Sequence, residues 1–593
     1  MSSYSHPYQD AEFILEHLLD FDNHCRQLDL EEVNTELASA ILTEAGKLAS
    51  DVLAPLNKTG DEQGATLGAD GVQQTPGFAE AYQQFMQSGW ASLTAPEVFG
   101  GQQLPQVLGT AVNEVWHSAN MAFALCPMLS QGAVEALIAH GSEALQQTYL
   151  PPLISGEWTG TMNLTEPQAG SDLAAVSSRA MPEGDHYRIS GQKIFITWGD
   201  HQMTSNIVHL VLARLPDAPA GVKGISLFIV PKYLLDAGGK PGALNDVSCV
   251  SLEHKLGIHA SPTCVLSFGD EGGAVGYLVG EANKGLKYMF TMMNSARQSV
   301  GLQGLAISER ALQQSVAYAQ ERTQGRRADG SAKPIIEYPD VRRMLMLQKA
   351  GTQAMRALAY VAAAEVDLAE HGGSLQGGEH QARVELLTPI VKGWMTEFAQ
   401  ELTSLNVQVH GGMGFIEETG AAQHYRDARI LTIYEGTTGI QALDLIGRKT
   451  LMDQGKAYQA LLSEMTQTAI QVESSRQPKL QKIGQQLLNA IDEASTVLRW
   501  LLKQVDANSD QAGAVSYDFL MLSGYLCGGW LMAKSAWLAE QQREEADANR
   551  AFLDTKIVTS EFYFSHLLPR ISAHAQVLMA ESESIMALTV EQL

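Results

Sequence analysis

The feature that most limits the fold of this chain is a block of short β-rich runs between residues 160 and 279. Gly, Asp and Pro separate these runs at short intervals, and no long helical pattern lies between them. The strongest runs are 189–198, 207–212, 225–230 and 249–252. Strands that follow one another without crossover helices predict an antiparallel barrel or sandwich, not a doubly wound parallel sheet. The lack of a GxGxxG motif after a strand agrees with this prediction.

Helical patterns occupy the chain on both sides of the β-rich block. In residues 10–154, apolar side chains recur at helical spacing, and several prolines are predicted to end or break the helices. These prolines are Pro55, Pro127, Pro151 and Pro152. The pattern is helical again from residue 285 onwards, and Pro569 predicts a further break. The chain is therefore predicted to be mainly α-helical, with a central β-barrel domain.

Four long helices are predicted directly after the β-rich block. Three of them span 286–320, 341–370 and 384–410, with a glycine-rich connection at 371–380, and the segment 407–449 supplies the fourth. Four antiparallel helices of this length predict a bundle. The predicted domains are an N-terminal helical domain (1–158), a middle β-barrel (159–280), a four-helix bundle (281–449) and an extra C-terminal helical domain (450–593).

Composition excludes several classes of partner and site. The net charge of −26 makes nucleic acid a poor partner, because its phosphates repel an acidic chain. The five cysteines contain no CxxC pair and the 16 histidines no HExxH spacing, so we predict neither a disulfide framework nor a metal site. No signal peptide and no membrane-spanning run is predicted. These features predict a cytoplasmic protein with reduced thiols.

One carboxylate stands in a setting that suits proton transfer. Glu435 follows the apolar run 430–433 and precedes Gly436, which lets a backbone approach a ligand closely because it has no Cβ. Apolar neighbours raise the pKa of a carboxyl group towards the range in which a general base works. On this stretch alone, a solvated Glu435 between two helices is the alternative.

Two further segments carry groups that suit a flat conjugated cofactor. TMNLTEPQAGSDL (161–173) offers backbone groups and the hydroxyls of Thr165 and Ser171. KIFITWG (193–199) offers the aromatic face of Phe195 and the hydroxyl of Thr197. Taken alone, each segment fits an ordinary loop or an amphipathic strand better than a cofactor site. Together they predict two walls of a cofactor site.

Seven segments, in order along residues 80–450, resemble the acyl-CoA dehydrogenase family of flavoproteins. They are PEVFGG, LTEPQAGSD, KIFIT, GEANKGL, AYAQERTQGR, QVHGGMGF and the pair YRDARI and YEGTTGIQ. The family has an N-terminal helical domain, a middle β-barrel and a C-terminal four-helix bundle, which is the order that the patterns above predict independently. The resemblance implies an enzyme with FAD as its cofactor.

The resemblance also implies a reaction, the α,β-dehydrogenation of an acyl-CoA thioester to a trans-2-enoyl-CoA, as in fatty-acid β-oxidation. Glu435 matches the base that removes the α proton, while the β hydrogen leaves as hydride to N5 of FAD. An electron-transfer flavoprotein is the implied electron acceptor. Positions that match cofactor contacts are Leu164, Thr165, Ser171, Phe195, Thr197, Arg322, Gln408, Gly412, Thr437 and Gly439. Positions that match substrate contacts are Ser171, Asn294, Arg297 and Gly436.

Some positions depart from the family's pattern or leave a second role open. Phe195 stands where many members have Trp, Pro339 where a flavin-contacting Gln is common, and Gly439 where Gln is frequent. A few members place the base on the first long bundle helix, but that position reads NSA (294–296) here and has no carboxylate. Glu435 is therefore the candidate base. A structural ion pair is the alternative role for Arg297.

The region after residue 449 resembles the extra helical domain of the long family members, including very-long-chain enzymes and bacterial 3-methylmercaptopropionyl-CoA dehydrogenases. In long members this region covers the face that others use to form tetramers, which implies a homodimer. Binding of this region to a membrane surface is an alternative that the acidic charge opposes. Two rival activities are an acyl-CoA oxidase and an alkylation-response flavoprotein that associates with DNA. The scarcity of basic clusters in 450–593 argues against DNA.

Overall fold

The computed structural model describes residues 4–371, 376–506, 509–545, 548–580 and 582–593. Its helices are α1 (Tyr8–Phe13), α2 (Phe21–Gln27), α3 (Thr35–Leu48), α4 (Ala54–Gln63), α5 (Phe78–Gln87), α6 (Gln106–Ala119), α7 (Met121–His140), α8 (Glu143–Ser155), α9 (Gly285–Glu321), α10 (Pro339–His371), α11 (Gln376–His410), α12 (Ala421–Ala428), α13 (Thr438–Leu443), α14 (Lys456–Glu473), α15 (Pro478–Gln504), α16 (Asp510–Gln542), α17 (Arg550–His566) and α18 (Arg570–Leu578). Its strands are β1 (Thr66–Gly68), β2 (Gly71–Gln73), β3 (Trp158–Asn163), β4 (Arg179–Glu183), β5 (His186–Thr197), β6 (Asn206–Arg214), β7 (Ile225–Pro231), β8 (Tyr233–Leu235), β9 (Pro241–Leu244), β10 (Val247–Leu252), β11 (Thr263–Phe268), β12 (Ala274–Val279), β13 (Thr323–Arg326) and β14 (Ala332–Pro334).

An eight-stranded sheet forms the middle of the chain. Its strand order is β10-β11-β5-β12-β7-β6-β3, and β4 pairs with β5 and β6. Most pairs are antiparallel, as in the register Leu210↔Ile229 between β6 and β7. The pairs β3–β6 and β4–β6 are parallel, which the sequence analysis did not predict. Side chains such as Phe228 and Leu266 fill its core. The predicted mainly α fold with a central β-barrel is confirmed.

The chain divides into two compact units. The first unit consists of Met1–Glu44, Pro105–Glu114 and Arg297–Leu593, and the second of Ala45–Leu104 and Val115–Ala296. The sheet described above lies in the second unit. The division into four domains at residues 158, 280 and 449 stays a prediction.

Long helices pack closely in the first unit. A Cβ on Gly301 of α9 would lie 2.4 Å from Cγ1 of Val391, so α9 runs close against α11. A Cβ on Gly524 of α16 would lie 2.0 Å from Cγ of Trp394, so the backbone of α16 also lies close against α11. Such approaches require glycine, because a real Cβ would overlap its neighbour. Helix α11 therefore packs against both α9 and the C-terminal helix α16.

Three of the predicted proline breaks are wrong. Pro55 lies inside a continuous helical stretch, because a π-helical turn (Ala49–Leu53) joins α3 to α4. Pro127 lies inside α7, and the adjacent prolines 151 and 152 lie inside α8. Each proline removes a helical hydrogen bond, and burial of the surrounding apolar side chains offsets that cost. The predicted break at Pro569 is correct, because α17 ends at His566 and α18 begins at Arg570.

The predicted glycine-rich connection at 371–380 is shorter than expected. Helix α10 extends to His371 and α11 begins at Gln376, and residues 372–375 lie outside the described part of the chain. Among the described residues, α7 is the one helix long and apolar enough to cross a membrane. Since 78% of its apolar window is buried, it has the environment of a core helix.

Candidate active site

The predicted fourth bundle helix is interrupted in the middle. Helix α12 ends at Ala428, a 3₁₀ turn (Arg429–Thr432) follows, and α13 begins only at Thr438. Between them, Glu435 and Gly436 have φ values of +54° and +91°. Two successive left-handed residues cannot continue a right-handed helix, and for Glu this conformation costs roughly 1–2 kcal/mol. Surrounding contacts must therefore hold the turn in place.

Side chains from two helices hold this turn. The buried Lys392 of α11 donates a hydrogen bond from Nζ to the carbonyl oxygen of Gly436 at 2.6 Å. Gln441 of α13 donates from Nε2 to the carbonyl of Glu435 at 3.3 Å. Thr437 caps α13 by accepting from the backbone N–H of Ile440 at 3.3 Å. Gly436 has a φ of +91°, a conformation that residues with a Cβ rarely adopt, so any substitution there would be strained.

The charges around Glu435 give it an unusual protonation equilibrium. Burial raises the pKa of the half-buried Glu435 to about 7, against the opposing effects of Arg297 and Lys392. Burial also lowers the pKa of Lys392 to about 8, although Glu435 opposes this. Arg297 is buried, and its Nη1 lies 3.9 Å from Oδ2 of Asp444, so the ion pair considered as its alternative role is present. A carboxyl group with a pKa near 7 suits a general base at neutral pH.

Predicted cofactor residues cluster where α9 and α11 end. His410 stacks on Tyr318 with 4.2 Å between ring centroids, so these two helix ends lie side by side. Arg322 directly follows α9, and Gln408 and Gly412 flank His410 in the sequence. All three predicted residues are exposed. This group can therefore meet a ligand or a second subunit from outside.

The barrel presents a second group of predicted cofactor residues, on β5. Phe195 and Thr197 alternate with Ile196, which is buried in the barrel core. The side chain of Phe195 is 58% exposed. The backbone N–H of Ile194 donates to the carbonyl of Thr165 at 2.9 Å, so the loop that carries Thr165 lies beside this strand. An exposed aromatic face thus stands next to a hydroxyl and backbone polar groups.

A buried ion pair anchors the loop beside β5. Nζ of Lys193 lies 2.8 Å from Oε1 of Glu166, and both side chains are buried. Lys193 also donates to the carbonyl of Leu164 at 3.0 Å, and Ser178 donates from Oγ to Glu166 at 2.6 Å. Leu164 is buried, whereas Ser171 lies in the exposed part of the loop. The loop is fixed at both ends and open at Ser171.

Asn294 lies apart from these groups, whereas Gly439 lies beside Thr437, since a Cβ on Gly439 would be 3.9 Å from Oγ1 of Thr437. Asn294 is exposed on α9 and belongs to the second compact unit. Gly439 is exposed in the first turn of α13, two residues after Thr437. The structure therefore brings Arg297, Glu435, Gly436 and Thr437 together in one cluster within the first unit.

Family models match the chain in four consecutive stretches. The acyl-CoA dehydrogenase N-terminal, middle and C-terminal domain models match residues 35–157, 161–270 and 283–451. A model described as acetyl-CoA dehydrogenase C-terminal like matches residues 461–589. The chain belongs to the acyl-CoA dehydrogenase family. It is therefore an oxidoreductase with FAD as its cofactor.

Individual acyl-CoA dehydrogenases resemble the chain over almost its whole length. The 3-methylmercaptopropionyl-CoA dehydrogenase of Ruegeria pomeroyi is 47% identical over 588 residues, which cover 98% of this chain and 99% of that protein. The broad-specificity linear acyl-CoA dehydrogenase FadE5 of Mycobacterium tuberculosis is 32% identical over 611 residues, 99% of each chain. The structure of an acyl-CoA dehydrogenase complexed with FAD from Bacillus anthracis shares the fold, with a TM-score of 0.74, 22% identity, and coverage of 94% of this chain and 89% of that chain.

The described residues fit an FAD molecule. Phe195 presents a flat exposed face of the kind that packs against a conjugated ring. Arg322 is exposed, and its planar guanidinium suits a pyrophosphate. A Cβ on Gly412 would meet nothing within 4 Å, so the backbone there is open to close approach.

Sequence reasoning missed two residues of the cluster around the base. Lys392 lies 44 residues before Gly436, and nothing in the sequence distinguishes it from a lysine that faces solvent on a helix. Gln441 lies in the short helix after the turn, where nothing in the sequence marks its contact with the Glu435 carbonyl. Both roles depend on how the turn at Glu435–Gly436 packs against α11 and α13, and the sequence does not determine that packing.

The raised pKa of Glu435 predicts a pH-dependent cost to stability. Because its folded pKa of about 7 exceeds the ordinary 4.5, the folded state loses stability as pH rises from about 4.5 through about 7. Glu435→Gln removes this titration, so the flavin-free variant should be more stable than the wild type by about 1–3 kcal/mol at pH 8, and by less at pH 5. Thermal unfolding of both proteins at the two pH values measures the difference. An equal difference at both would contradict the assigned pKa direction.

Proposed function

We propose that the protein catalyses the α,β-dehydrogenation of an acyl-CoA thioester to a trans-2-enoyl-CoA, with Glu435 as the base. The observation that carries this proposal is the half-buried Glu435, held in a left-handed turn beside Arg297 and Lys392, with a pKa of about 7. Its carboxylate accepts the α proton of the substrate. FAD, when bound, supplies the hydride acceptor for the β hydrogen.

The α proton of a thioester is only weakly acidic, so the charge that develops on the thioester oxygen needs hydrogen-bond donors. The backbone N–H of Glu435 is the donor that we propose from this chain. Gly436 has no Cβ, so the thioester can lie against the backbone beside the base. Lys392 and Gln441 occupy the carbonyl oxygens of this turn, so its peptide groups are held in one orientation.

The favoured substrate is a short acyl thioester with a methylthio group. The support is the 47% identity over 98% of the chain to a protein named for 3-methylmercaptopropionyl-CoA, against 32% to the broad-specificity linear enzyme. A linear acyl-CoA of fatty-acid β-oxidation is the second candidate. An electron-transfer flavoprotein is the proposed electron acceptor, and an acyl-CoA oxidase would instead pass electrons to oxygen.

Two groups of residues are proposed to hold FAD. The barrel group, Leu164, Thr165, Ser171, Phe195 and Thr197, is proposed to contact the flavin ring. Thr437 and Gly439 are proposed as further cofactor contacts. Arg322 would bind the pyrophosphate. Gln408 and Gly412, exposed at the end of α11, would reach the adenine half in a second subunit, which favours a homodimer. We propose the cytoplasm as its location, consistent with five free cysteines.

Anaerobic bleaching of the bound flavin tests the proposed reaction. The holoenzyme is mixed with 3-methylmercaptopropionyl-CoA, butyryl-CoA and longer linear thioesters in parallel. We expect the active thioesters to bleach the flavin, with the methylthio substrate giving the fastest bleaching when all thioesters are compared at equal concentration. Loss of bleaching with every thioester would contradict the dehydrogenase proposal, and faster bleaching by a long linear thioester would contradict the methylthio preference. Full-rate peroxide formation without another acceptor would indicate an oxidase.

A further inference from the structure

A buried ammonium group stands next to the proposed base. The side chain of Lys392 is 0% exposed, in the middle of α11, and its Nζ donates to the carbonyl of Gly436 at 2.6 Å. Burying a charge is costly unless nearby groups compensate for it. A Gln could donate the same hydrogen bond without a charge, so the hydrogen bond alone does not account for a lysine.

The charged groups around Lys392 point to Glu435 as the group that its charge acts on. The opposite charges that favour the ammonium form are Glu435 and Glu397, and Arg297 disfavours it. Glu397 already accepts a hydrogen bond from Oγ1 of Thr438 at 2.6 Å. The charged groups facing Glu435 or its two cations are Arg297 from α9, Lys392 and Glu397 from α11, and Asp444 and Arg448 after α13.

The second cation near the base is already shared with another carboxylate. Arg297 lowers the pKa of Glu435 more strongly than Lys392 does, but it also lies 3.9 Å from Asp444, whose negative charge it balances as well. Lys392, by contrast, donates its 2.6 Å hydrogen bond to the neutral carbonyl of Gly436. The charge of Lys392 is therefore well placed to act on the carboxylate that the same turn carries.

We propose that Lys392 is a positioning residue that holds the left-handed Glu435–Gly436 turn through the Gly436 carbonyl and keeps the Glu435 carboxylate ionised through its positive charge. The inference rests on the proposed function of Glu435 as the base. Lys392 contacts the peptide that follows the base, so it acts on the reaction through Glu435 and not by touching the substrate.

The two parts of the role predict different effects. Loss of the positive charge raises the pKa of Glu435, because a nearby cation favours the carboxylate. The midpoint of the pH–rate profile of dehydrogenation then shifts to higher pH, by about one unit. Loss of the hydrogen bond lets the turn relax, and a displaced base lowers kcat at every pH, by about ten- to a hundredfold.

Three substitutions separate charge from hydrogen bond. Lys392→Arg keeps both, Lys392→Gln keeps a donor without charge, and Lys392→Met keeps neither. Lys556→Met is the matched control, because Lys556 is also a buried ammonium in the first unit but pairs with Asp10 at 2.6 Å. The rate of flavin bleaching is measured against pH in each holoenzyme. In flavin-free protein, infrared difference spectra of the protonated carboxyl band, with Glu435→Gln subtracted, follow the titration of Glu435 directly.

We expect an upward shift in both titrations for Lys392→Gln and Lys392→Met, a lower kcat for Lys392→Met than for Lys392→Gln, and near wild-type behaviour for Lys392→Arg. The Lys556→Met control should lose stability without a shift in pH dependence. Unshifted titrations in Lys392→Gln would overturn the proposal, including in the case that Lys392→Met does not fold. If Glu435→Gln itself kept full activity, the proposed function would fail; an inactive Glu435→Gln with unaffected Lys392 variants would overturn only this inference.

Discussion

Replacing Glu435 by Gln is expected to lower the rate of acyl-CoA dehydrogenation by about 10²–10⁴-fold, because a positioned general base contributes about that factor. Gln has nearly the same shape as Glu but accepts no proton at neutral pH. The left-handed turn should survive, since Lys392 and Gln441 hold its carbonyl groups and not the Glu435 carboxylate. The variant should therefore fold and keep its yellow flavin. Steady-state turnover with an artificial acceptor, normalised to flavin content, measures the loss.

Glu417→Gln is the matched control for this substitution. Glu417 lies in the same stretch of chain, but it is 62% exposed and pairs with Arg426 at 2.8 Å. Exposed ion pairs of this kind contribute about 0–1 kcal/mol, so this variant should turn over like the wild type. A Glu435→Gln enzyme within about tenfold of wild-type kcat would mean that another group removes the α proton.

Removing Arg356 is expected to cause the largest loss of stability, about 3–5 kcal/mol, because it leaves two buried carboxylates without their cation. Arg356 of α10 is fully buried, and its Nη2 lies 2.8 Å from Glu114 and 2.8 Å from Glu309. Tyr360 donates a further hydrogen bond to Glu114 at 2.7 Å. Arg356→Met fills similar volume but supplies no charge. Thermal unfolding and urea midpoints at pH 7 should both fall.

Arg343→Met is the control on the same helix, because Arg343 is exposed and pairs with Asp340, three residues away. It should change the free energy of unfolding by less than about 0.5 kcal/mol. Adding Glu114→Gln to Arg356→Met should restore part of the stability, because one uncompensated charge is then removed. Equal midpoints for Arg356→Met and Arg343→Met would show that the buried network contributes nothing to stability.

The fold was predictable wherever hydrophobic periodicity sets the structure. The β-rich runs appear as strands at nearly the predicted places, for example 225–230 as β7 (Ile225–Pro231), because their side chains alternate or are buried on both faces. Prolines were weaker guides, since Pro127 continues a helix that packing stabilises. The parallel pair β3–β6 was not predictable either, because pairing direction depends on contacts between strands far apart in the sequence.

The candidate site was predictable at the residue that carries a chemical signal and not at the residues that support it. The pair Glu435-Gly436 is visible because a carboxylate and a glycine follow an apolar run. The supporting Lys392 and the buried Arg356 network are invisible in the sequence, because charged residues at helical spacing usually face solvent. Only the packing of α11 against the turn, and of α10 in the first unit, determines which of them are buried.

A single-turnover comparison of wild type and Glu435→Gln, mixed anaerobically with 3-methylmercaptopropionyl-CoA, tests the central claim most directly. Flavin absorbance is followed with the ordinary thioester and with one deuterated at the α carbon. The account predicts that wild-type flavin bleaches, that α-deuteration slows the bleaching, and that Glu435→Gln retains oxidised flavin with either substrate. Equal bleaching in wild type and Glu435→Gln would contradict the assignment of Glu435 as the base that removes the α proton.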